Sequence, residues 1–336
     1  MRIRLIESVS VIPLNGELLL TRGKVALRYR TAGDWQSVSV LLKAGTTRSE
    51  LERFLTEPVV QRLLRTTNGE GWLTTSLAVA ASPALERQIG YLTMFNKDAG
   101  LAQTRVSSSS VSILGVGGIG VVVAEHLARA GVGSLSLIDF DFVEESNLNR
   151  HLLFDTSDVG KSKVEAARDH LRLISPKSQV NTHHRFVESL EDLVGTGLES
   201  DDVLVIAIDQ PRNIATELSD STERYGVRVM MGAVGLETGF WGPFLVPGGH
   251  QLKCLDLDAG QEAREWADAV SPTPWSFGPS NTVIGAQIAH DVIQYVASNW
   301  CLSLERRNFI DFSTLEITSL QFVNCSAHRS DSPRAL

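Results

Sequence analysis

The chain has 336 residues, 43% of them hydrophobic and 21% charged, and a formal net charge of −8. That length favours two units, and that balance is the one of a water-soluble protein with a sizeable core. The acidic excess excludes a broad electrostatic footprint for nucleic acid or an anionic membrane. No apolar run approaches the roughly 20 residues that cross a bilayer. The start, Met1-Arg-Ile-Arg-Leu-Ile-Glu-Ser8, has charge but no sustained apolar stretch and does not read as a signal peptide. Three cysteines, Cys254, Cys301 and Cys325, cannot form a disulfide framework, and the odd count points to a reducing, cytoplasmic setting.

Residues 1–80 read as one small unit. Segments 9–14, 18–21 and 25–29 alternate or run apolar around Asn15-Gly16 and Arg22-Gly23, which predicts hairpins. Thr47-Arg-Ser-Glu50 is a capping-box pattern opening a helix over 51–55, and 59–64 is a further amphipathic run. Asn68-Gly69 and Gly71 break the chain before Trp72. Three strands and small helices give a winged-helix-like module without a cluster of His, Cys or paired acids, so catalysis is not placed there.

From Pro83 the pattern is helical through Leu85, Ile89, Leu92 and Met94. Strands at 112–114, 135–138, 180–183 and 203–208 then alternate with helices at 118–130 and 159–174. That alternation predicts an α/β, doubly wound, Rossmann-like parallel sheet. Strands 227–234 and 240–246 follow, then a polar, proline-bearing loop over 256–278. A helix over 281–296 shows Val283, Ile284, Ile288, Val292 and Ile293 on one face, and strands 309–312 and 317–323 close the fold. The second domain is expected over 83–328, and 329–336 reads as a flexible tail.

The chemistry concentrates after the first strand of that sheet. Gly115-Val-Gly117-Gly118-Ile-Gly120 links a strand to a helix, where glycines allow a tight turn and the helix N-terminus offers free N–H groups to a phosphate. Asp139 ends the next strand, 19 residues after Gly120, where an acid can bind ribose hydroxyls. These features fit a nucleotide site without separating ATP from NAD. Asp141, Asn147, Arg150 and then Lys163 follow, and a guanidinium and an ammonium near phosphates suit displacement at phosphorus better than hydride transfer. Asp209 ends the strand at 203–208 and could hold a Mg²⁺ that bridges ATP oxygens.

Taken in order, Gly-Val-Gly-Gly-Ile-Gly, Asp-Phe-Asp, Asn-Leu-Asn-Arg, Val-Gly-Lys-Ser-Lys and Ala-Ile-Asp-Gln-Pro resemble the E1-like ThiF/MoeB/MccB adenylyltransferases over residues 83–325. The resemblance implies ATP and Mg²⁺ as cofactors. Gly115, Gly117, Gly118, Gly120, Asp139, Asp141, Asn147, Arg150 and Lys163 would bind the nucleotide. Arg150, Lys163 and Asp209 would be catalytic, with Asp209 on the metal. Glu86-Arg87-Gln88 is similar to the segment whose arginine reaches into a partner subunit, which implies a homodimer with Arg87 acting in trans; a solvated helix arginine is the other reading. No cysteine lies in the 256–278 loop, so a thioester is not inferred, and Cys301 reads as core. The paired Cys-x-x-Cys zinc ligands of the family are replaced by His250-x-x-x-Cys254 and Cys325-x-x-His328. Those four either hold a structural Zn²⁺ or are unrelated cysteines with nearby histidines.

The N-terminal module resembles the peptide clamp fused to E1-like enzymes of ribosomal peptide natural-product pathways, which takes a leader peptide as an added strand. The substrate implied is a precursor peptide whose carboxylate is adenylated and captured within the same peptide, in the manner of microcin C7 or pantocin A enzymes. Two other readings stay open: a leader-binding scaffold without catalysis, and an NAD(P)-dependent oxidoreductase sharing the glycine turn and Asp139.

Overall fold

The computed structural model describes residues 2–75, 83–198, 202–211, 214–252 and 275–321. The chain divides into two compact units, 1–105 and 106–336. The boundary lies some twenty-five residues beyond the end expected for the N-terminal module, because the helical stretch after Pro83 packs with that module. The Arg22 guanidinium donates to the Thr93 carbonyl at 3.0 Å.

In the first unit β1 (Arg4–Leu5) pairs with β5 (Leu73–Thr74), and β2 (Ser10–Leu14), β3 (Glu17–Arg22) and β4 (Val25–Arg30) form a three-stranded antiparallel sheet in that order. The β2–β3 register closes at Leu14↔Glu17 across Asn15-Gly16, a two-residue loop in which Gly16 takes the positive φ of 75° that a side chain resists. Helices α1 (Trp35–Ala44), α2 (Arg48–Leu51) and α3 (Glu57–Gly69) follow. The expected capping box is present: Glu50 N–H donates to Thr47 Oγ1 at 3.3 Å, and Thr47 N–H to Glu50 Oε2 at 2.8 Å. α1 was not read from the sequence, although Asp34 caps it by accepting from Ser37 N–H at 3.1 Å. Leu18, Leu20, Trp35, Val38, Leu42, Leu63 and Trp72 make the core of the unit. α4 (Glu86–Leu92) and α5 (Ala99–Ser108) follow β5 in the chain.

The second unit is built on β6 (Ser110–Leu114), α6 (Gly118–Ala130), β7 (Ser134–Asp139), α7 (Lys163–Ile174), β8 (Gln179–His184), β9 (Val203–Ile206), α8 (Ile214–Ser219), α9 (Ser221–Tyr225), β10 (Arg228–Val234), β11 (Thr238–Leu245), α10 (Gly278–Ser298), β12 (Arg306–Asp311) and β13 (Ile317–Gln321). Among the described residues these strands form an eight-stranded sheet ordered β13-β12-β11-β10-β9-β6-β7-β8. The β8-β7-β6-β9-β10 part is parallel and the β11–β13 part antiparallel. The chain leaves β6 toward one side and returns through β9 on the other, so the crevice between the carboxyl ends of β6 and β9 is the topological switch point, where such sheets bind ligands.

β6, β7 and β9 are almost wholly buried, and β9 is apolar throughout, as expected of parallel strands covered on both faces. α6 is apolar on nearly every side, because α10 covers the side that the sheet does not. At Gly285 a Cβ would sit 2.7 Å from Val122 Cβ, so the two helices meet backbone to side chain. On α10 the buried row is Ile284, Ile288 and Val292, whereas Val283, expected on that face, is exposed. The helix read over 159–174 starts only at Lys163: Gly160 at φ 89° ends a short turn there, preceded by a 3-10 helix over Thr156–Asp158.

Candidate functional site

The turn after β6 is fixed by atoms that leave no room for side chains. Gly115 lies at φ 94°, and a Cβ on it would strike the Ala207 carbonyl of β9's extension. A Cβ on Gly120 would overlap the Gly115 carbonyl. Gly117, the N-cap of α6, is different: the nearest heavy atom to its missing Cβ is His151 Nε2, at 3.9 Å. The glycine run thus folds the chain tightly at Gly115 and Gly120 and keeps an uncovered approach to the helix N-terminus at Gly117, where N–H groups lack intrahelical partners.

Asp139, at the end of β7, is 9% exposed, and both its oxygens hold the backbone of the site. Oδ2 accepts from Val116 N–H at 2.7 Å and Oδ1 from Asp141 N–H at 2.8 Å. In this structure it braces the glycine turn; each oxygen keeps a further lone pair for a ribose hydroxyl. Asp141 is half-exposed and receives the Lys163 ammonium at 2.7 Å. That pairing is set by the backbone: Lys163 N–H donates to Asp141 O at 3.0 Å, and Val143 exchanges bonds with Gly160 and Lys161 at 2.8 Å each. The turn that delivers Lys163 is anchored by Asp158. Burial raises its carboxyl, but Lys161 at 2.9 Å, Asp155 N–H at 3.1 Å and His170 at 2.7 Å together pull it down to about 2. With Asp155, Asp158 and His170 have metal-ligand spacing, yet Asp158 is already satisfied by that cation, ring and N–H.

Asn147 and Arg150 stand on the loop between. Asn147 is 6% exposed, and its Oδ1 accepts from Glu144 N–H at 3.1 Å, so here it caps the short 3-10 helix over Glu145–Asn147. Arg150 Nη1 donates to Ser146 O at 2.8 Å and to Asn149 Oδ1 at 2.9 Å, leaving most of its donors for a ligand. Asp209 follows β9, is exposed, and among the described residues has no hydrogen-bond or ion-pair partner. Asp139, Asp141 and Asp209 border one cleft of about 170 Å³, together with Arg185 and the edge-to-face pair Phe140–Phe186, whose centroids lie 4.6 Å apart. The cleft is smaller than the several hundred Å³ usual for a whole ligand. A larger concavity of about 490 Å³, lined by Arg168, Arg172 and His183, lies along β8 away from the glycine turn and gathers none of these groups.

Two residues of the site escaped the sequence reading. His151, directly after Arg150, is 3% exposed and its Nδ1 is buried without a hydrogen bond. Burial first, then Lys163 and Arg150, push its ring down to about 3, so it is neutral. Asn281, read only as the start of a helix, is held by Nδ2 to Phe277 O at 2.8 Å and to Ser276 Oγ at 2.9 Å. Its Oδ1 would lie 2.5 Å from a Cβ on Gly118. Gly118→Ala should therefore displace Asn281 and destabilise the protein by about 1–3 kcal/mol in thermal melts, with part of the loss recovered in Gly118→Ala/Asn281→Ala.

The remaining expectations fall elsewhere. Arg87 is exposed on α4, in the first unit. Of the four zinc candidates, His250 is buried, with its backbone N–H donating to Glu305 Oε1 at 3.3 Å. Cys254, Cys325 and His328 lie outside the described residues, as does most of the 256–278 loop. Cys301 is 1% exposed; burial, then Asp291, holds its thiol well above the usual range, which suits packing and not nucleophilic attack. No described helix is long and apolar enough to cross a membrane.

A model of the ThiF family matches residues 85–334. The adenylyltransferase and sulfurtransferase MOCS3 of Culex quinquefasciatus is 41% identical over 114 residues, 34% of this chain and 25% of that protein. Ubiquitin-like modifier-activating enzyme 5 of Caenorhabditis elegans is 43% identical over 88 residues, 26% of this chain and 21% of that protein. The matched segments thus span about a quarter or less of these relatives. Among solved structures, Escherichia coli MccB with ATP superposes with a TM-score of 0.78 at 22% identity, covering 99% of both chains. PaaA superposes with a TM-score of 0.71 at 21% identity, covering 95% of this chain and 100% of its own. At such identities the superpositions establish the fold, and the family match over most of the second unit establishes the lineage: the chain belongs to the ThiF family.

Proposed function

We propose that the chain is an E1-like, ATP-dependent adenylyltransferase that activates a carboxylate on a ribosomally made precursor peptide. The observation that carries this reading is the convergence on Gly117. His151 borders that glycine, and Lys163 and Arg150 both hold down the protonation of its ring, so two cations lie within electrostatic reach of the helix N-terminus at Gly117. Asp209 stands across the switch point, at the end of β9.

The substrate carboxylate oxygen attacks the α-phosphorus of ATP, the bond to the β-phosphate oxygen breaks, and pyrophosphate leaves with that electron pair. A nitrogen or carbon nucleophile of the same peptide then displaces AMP from the acyl-adenylate. Arg150 and Lys163 stabilise the charge that builds on the phosphate oxygens. Lys163 can reach phosphate with the donors that Asp141 does not hold, and Arg150 with those beyond Nη1. The Asp209 carboxylate, without a partner among the described residues, fits a Mg²⁺ ion, which would neutralise phosphate charge there. Arg87 acting in trans within a homodimer, and a cytoplasmic setting, belong to the same proposal. A peptide partner is supported by the likeness to MccB, whose structure has been solved in complex with N-formylated MccA.

The direct test is ATP–pyrophosphate exchange with candidate precursor peptides, followed by mass spectrometry of the peptide. Peptide-dependent exchange and AMP release are expected. Peptide binding with neither would leave a scaffold that has lost the reaction.

A further inference from the structure

Buried polar groups in folded proteins nearly always find a hydrogen-bond partner, and one that does not calls for an explanation. His151 is such a case. Its place is fixed from both sides: the backbone N–H donates to Asn147 O at 2.9 Å, and the ring meets Phe154 edge to face, with centroids 5.7 Å apart and planes at 64°. The residue is 3% exposed, yet neither ring nitrogen has a hydrogen-bond partner among the described residues. Of the two, only Nδ1 is sealed from solvent. Nε2 faces the glycine turn, as the nearest heavy atom to the missing Cβ of Gly117, at 3.9 Å.

That placement decides what the ring can offer. Burial first, then Lys163 and Arg150, act against protonation, so the imidazole is neutral and carries one N–H. In folded proteins an orphaned N–H is rarer than an orphaned lone pair, so the sealed Nδ1 keeps the lone pair and the proton belongs on Nε2. Beside it stands a second set of donors. α6 has no side-chain cap, and its first intrahelical bond runs from Val121 N–H to Gly117 O at 3.0 Å. The N–H groups of Gly118, Ile119 and Gly120 therefore have no partner within the helix. An imidazole N–H, a helix N-terminus and two cations within electrostatic reach share one complement, an anion with several acceptor oxygens.

We propose that His151 is a phosphate-binding residue, its Nε2–H donating to an oxygen of the triphosphate that sits against the N-terminus of α6. This rests on the reading that the protein uses ATP. The ring adds a hydrogen bond without adding a charge, and so avoids the repulsion that a third cation would meet from Lys163 and Arg150. A ring that serves binding in this way does little for packing, since its nitrogens find no partner in the protein itself. Affinity and stability should then respond in opposite senses when the ring is replaced by an apolar side chain.

Glutamine and methionine have the same unbranched length, and of the two only glutamine carries an N–H. Calorimetric titration of the full chain with ATP and magnesium, and separately with adenosine, compares them without any peptide. His151→Met should bind ATP about tenfold more weakly than the parent, and His151→Gln should stay within about threefold of it. Adenosine, which has no phosphate, should treat all three proteins alike. The melt of His151→Met should lie no lower than that of the parent, because a polar ring without a partner has been removed. Equal ATP affinity in the parent and His151→Met would overturn the proposal. So would an equal loss in both variants, or a loss for adenosine in step with ATP, either of which marks a ring that only packs. A second measurement uses the parent protein with ¹⁵N-labelled histidine, the His151 signals being those missing from His151→Gln. They should show the Nε2–H tautomer, and saturating ATP should shift that N–H; the Nδ1–H tautomer, or no shift, would overturn the proposal as well. A parent that binds ATP in this manner yet shows no pyrophosphate exchange would sink only the adenylation reading. Exchange in His151→Met with the parental KM for ATP would sink only this one.

Discussion

Asp209→Ala should lower peptide-dependent ATP–pyrophosphate exchange by ~10²–10³-fold, the usual loss when one preorganised charge is removed from such a site. Three carboxylates border the cleft at the switch point, and two are engaged. Asp139 accepts from Val116 and Asp141 N–H groups, and Asp141 holds the Lys163 ammonium. Removing either would disturb the glycine turn or the placement of Lys163 as well as the chemistry. Asp209 is exposed and partnerless among the described residues, so its loss leaves packing untouched. The variant should melt with the parent and still bind peptide, which separates a catalytic defect from an unfolded protein. Asp209→Asn should behave similarly, since a neutral amide is a poor magnesium ligand. Arg150→Ala should show a loss of the same order. Exchange at the parental rate in either variant would remove that residue from the reaction.

The glycine turn, the parallel sheet and the hairpin at Asn15-Gly16 were legible because each is decided locally, by residues whose backbone needs sit next to one another. What local pattern does not show is which partner a polar group finally takes. Asp139 and Asn147 stand where a nucleotide contact was expected, and the fold uses both to hold its own backbone. Spacing cannot distinguish an acid that faces ribose from one that braces the turn. Asn281 touches the start of α6 from more than 160 residues away, and no window along the chain brings them together. His151 was passed over because a histidine after an arginine carries no periodic signal; its importance comes from burial beside two cations. α1 is the opposite case, since Asp34 followed by Ser37 was a readable cap.

His151 should make the protein acid-sensitive in a window set by its own titration. In an unfolded chain the imidazole takes up a proton near pH 6.5, whereas in the fold burial, Lys163 and Arg150 delay that to about 3. Below pH 6.5 protons therefore favour the unfolded chain. Each further pH unit costs about 1.4 kcal/mol, so about 2 kcal/mol is lost by pH 5, and the loss levels off only near pH 3. Asp158 contributes in a lower window: its carboxyl, depressed from 3.8 to about 2, gives stability above pH 3.8 that disappears as the pH falls through 2. His183 is also lowered, by burial and then Arg185, and it adds a loss common to parent and variant. Urea unfolding of the parent and of His151→Gln at pH 7, 6 and 5 isolates the effect, because glutamine fills much of the space without titrating. The parent should lose about 2 kcal/mol more than the variant between pH 7 and 5. Parallel decline in the two proteins would mean that the ring reaches water and that burial and the two cations do not hold it neutral.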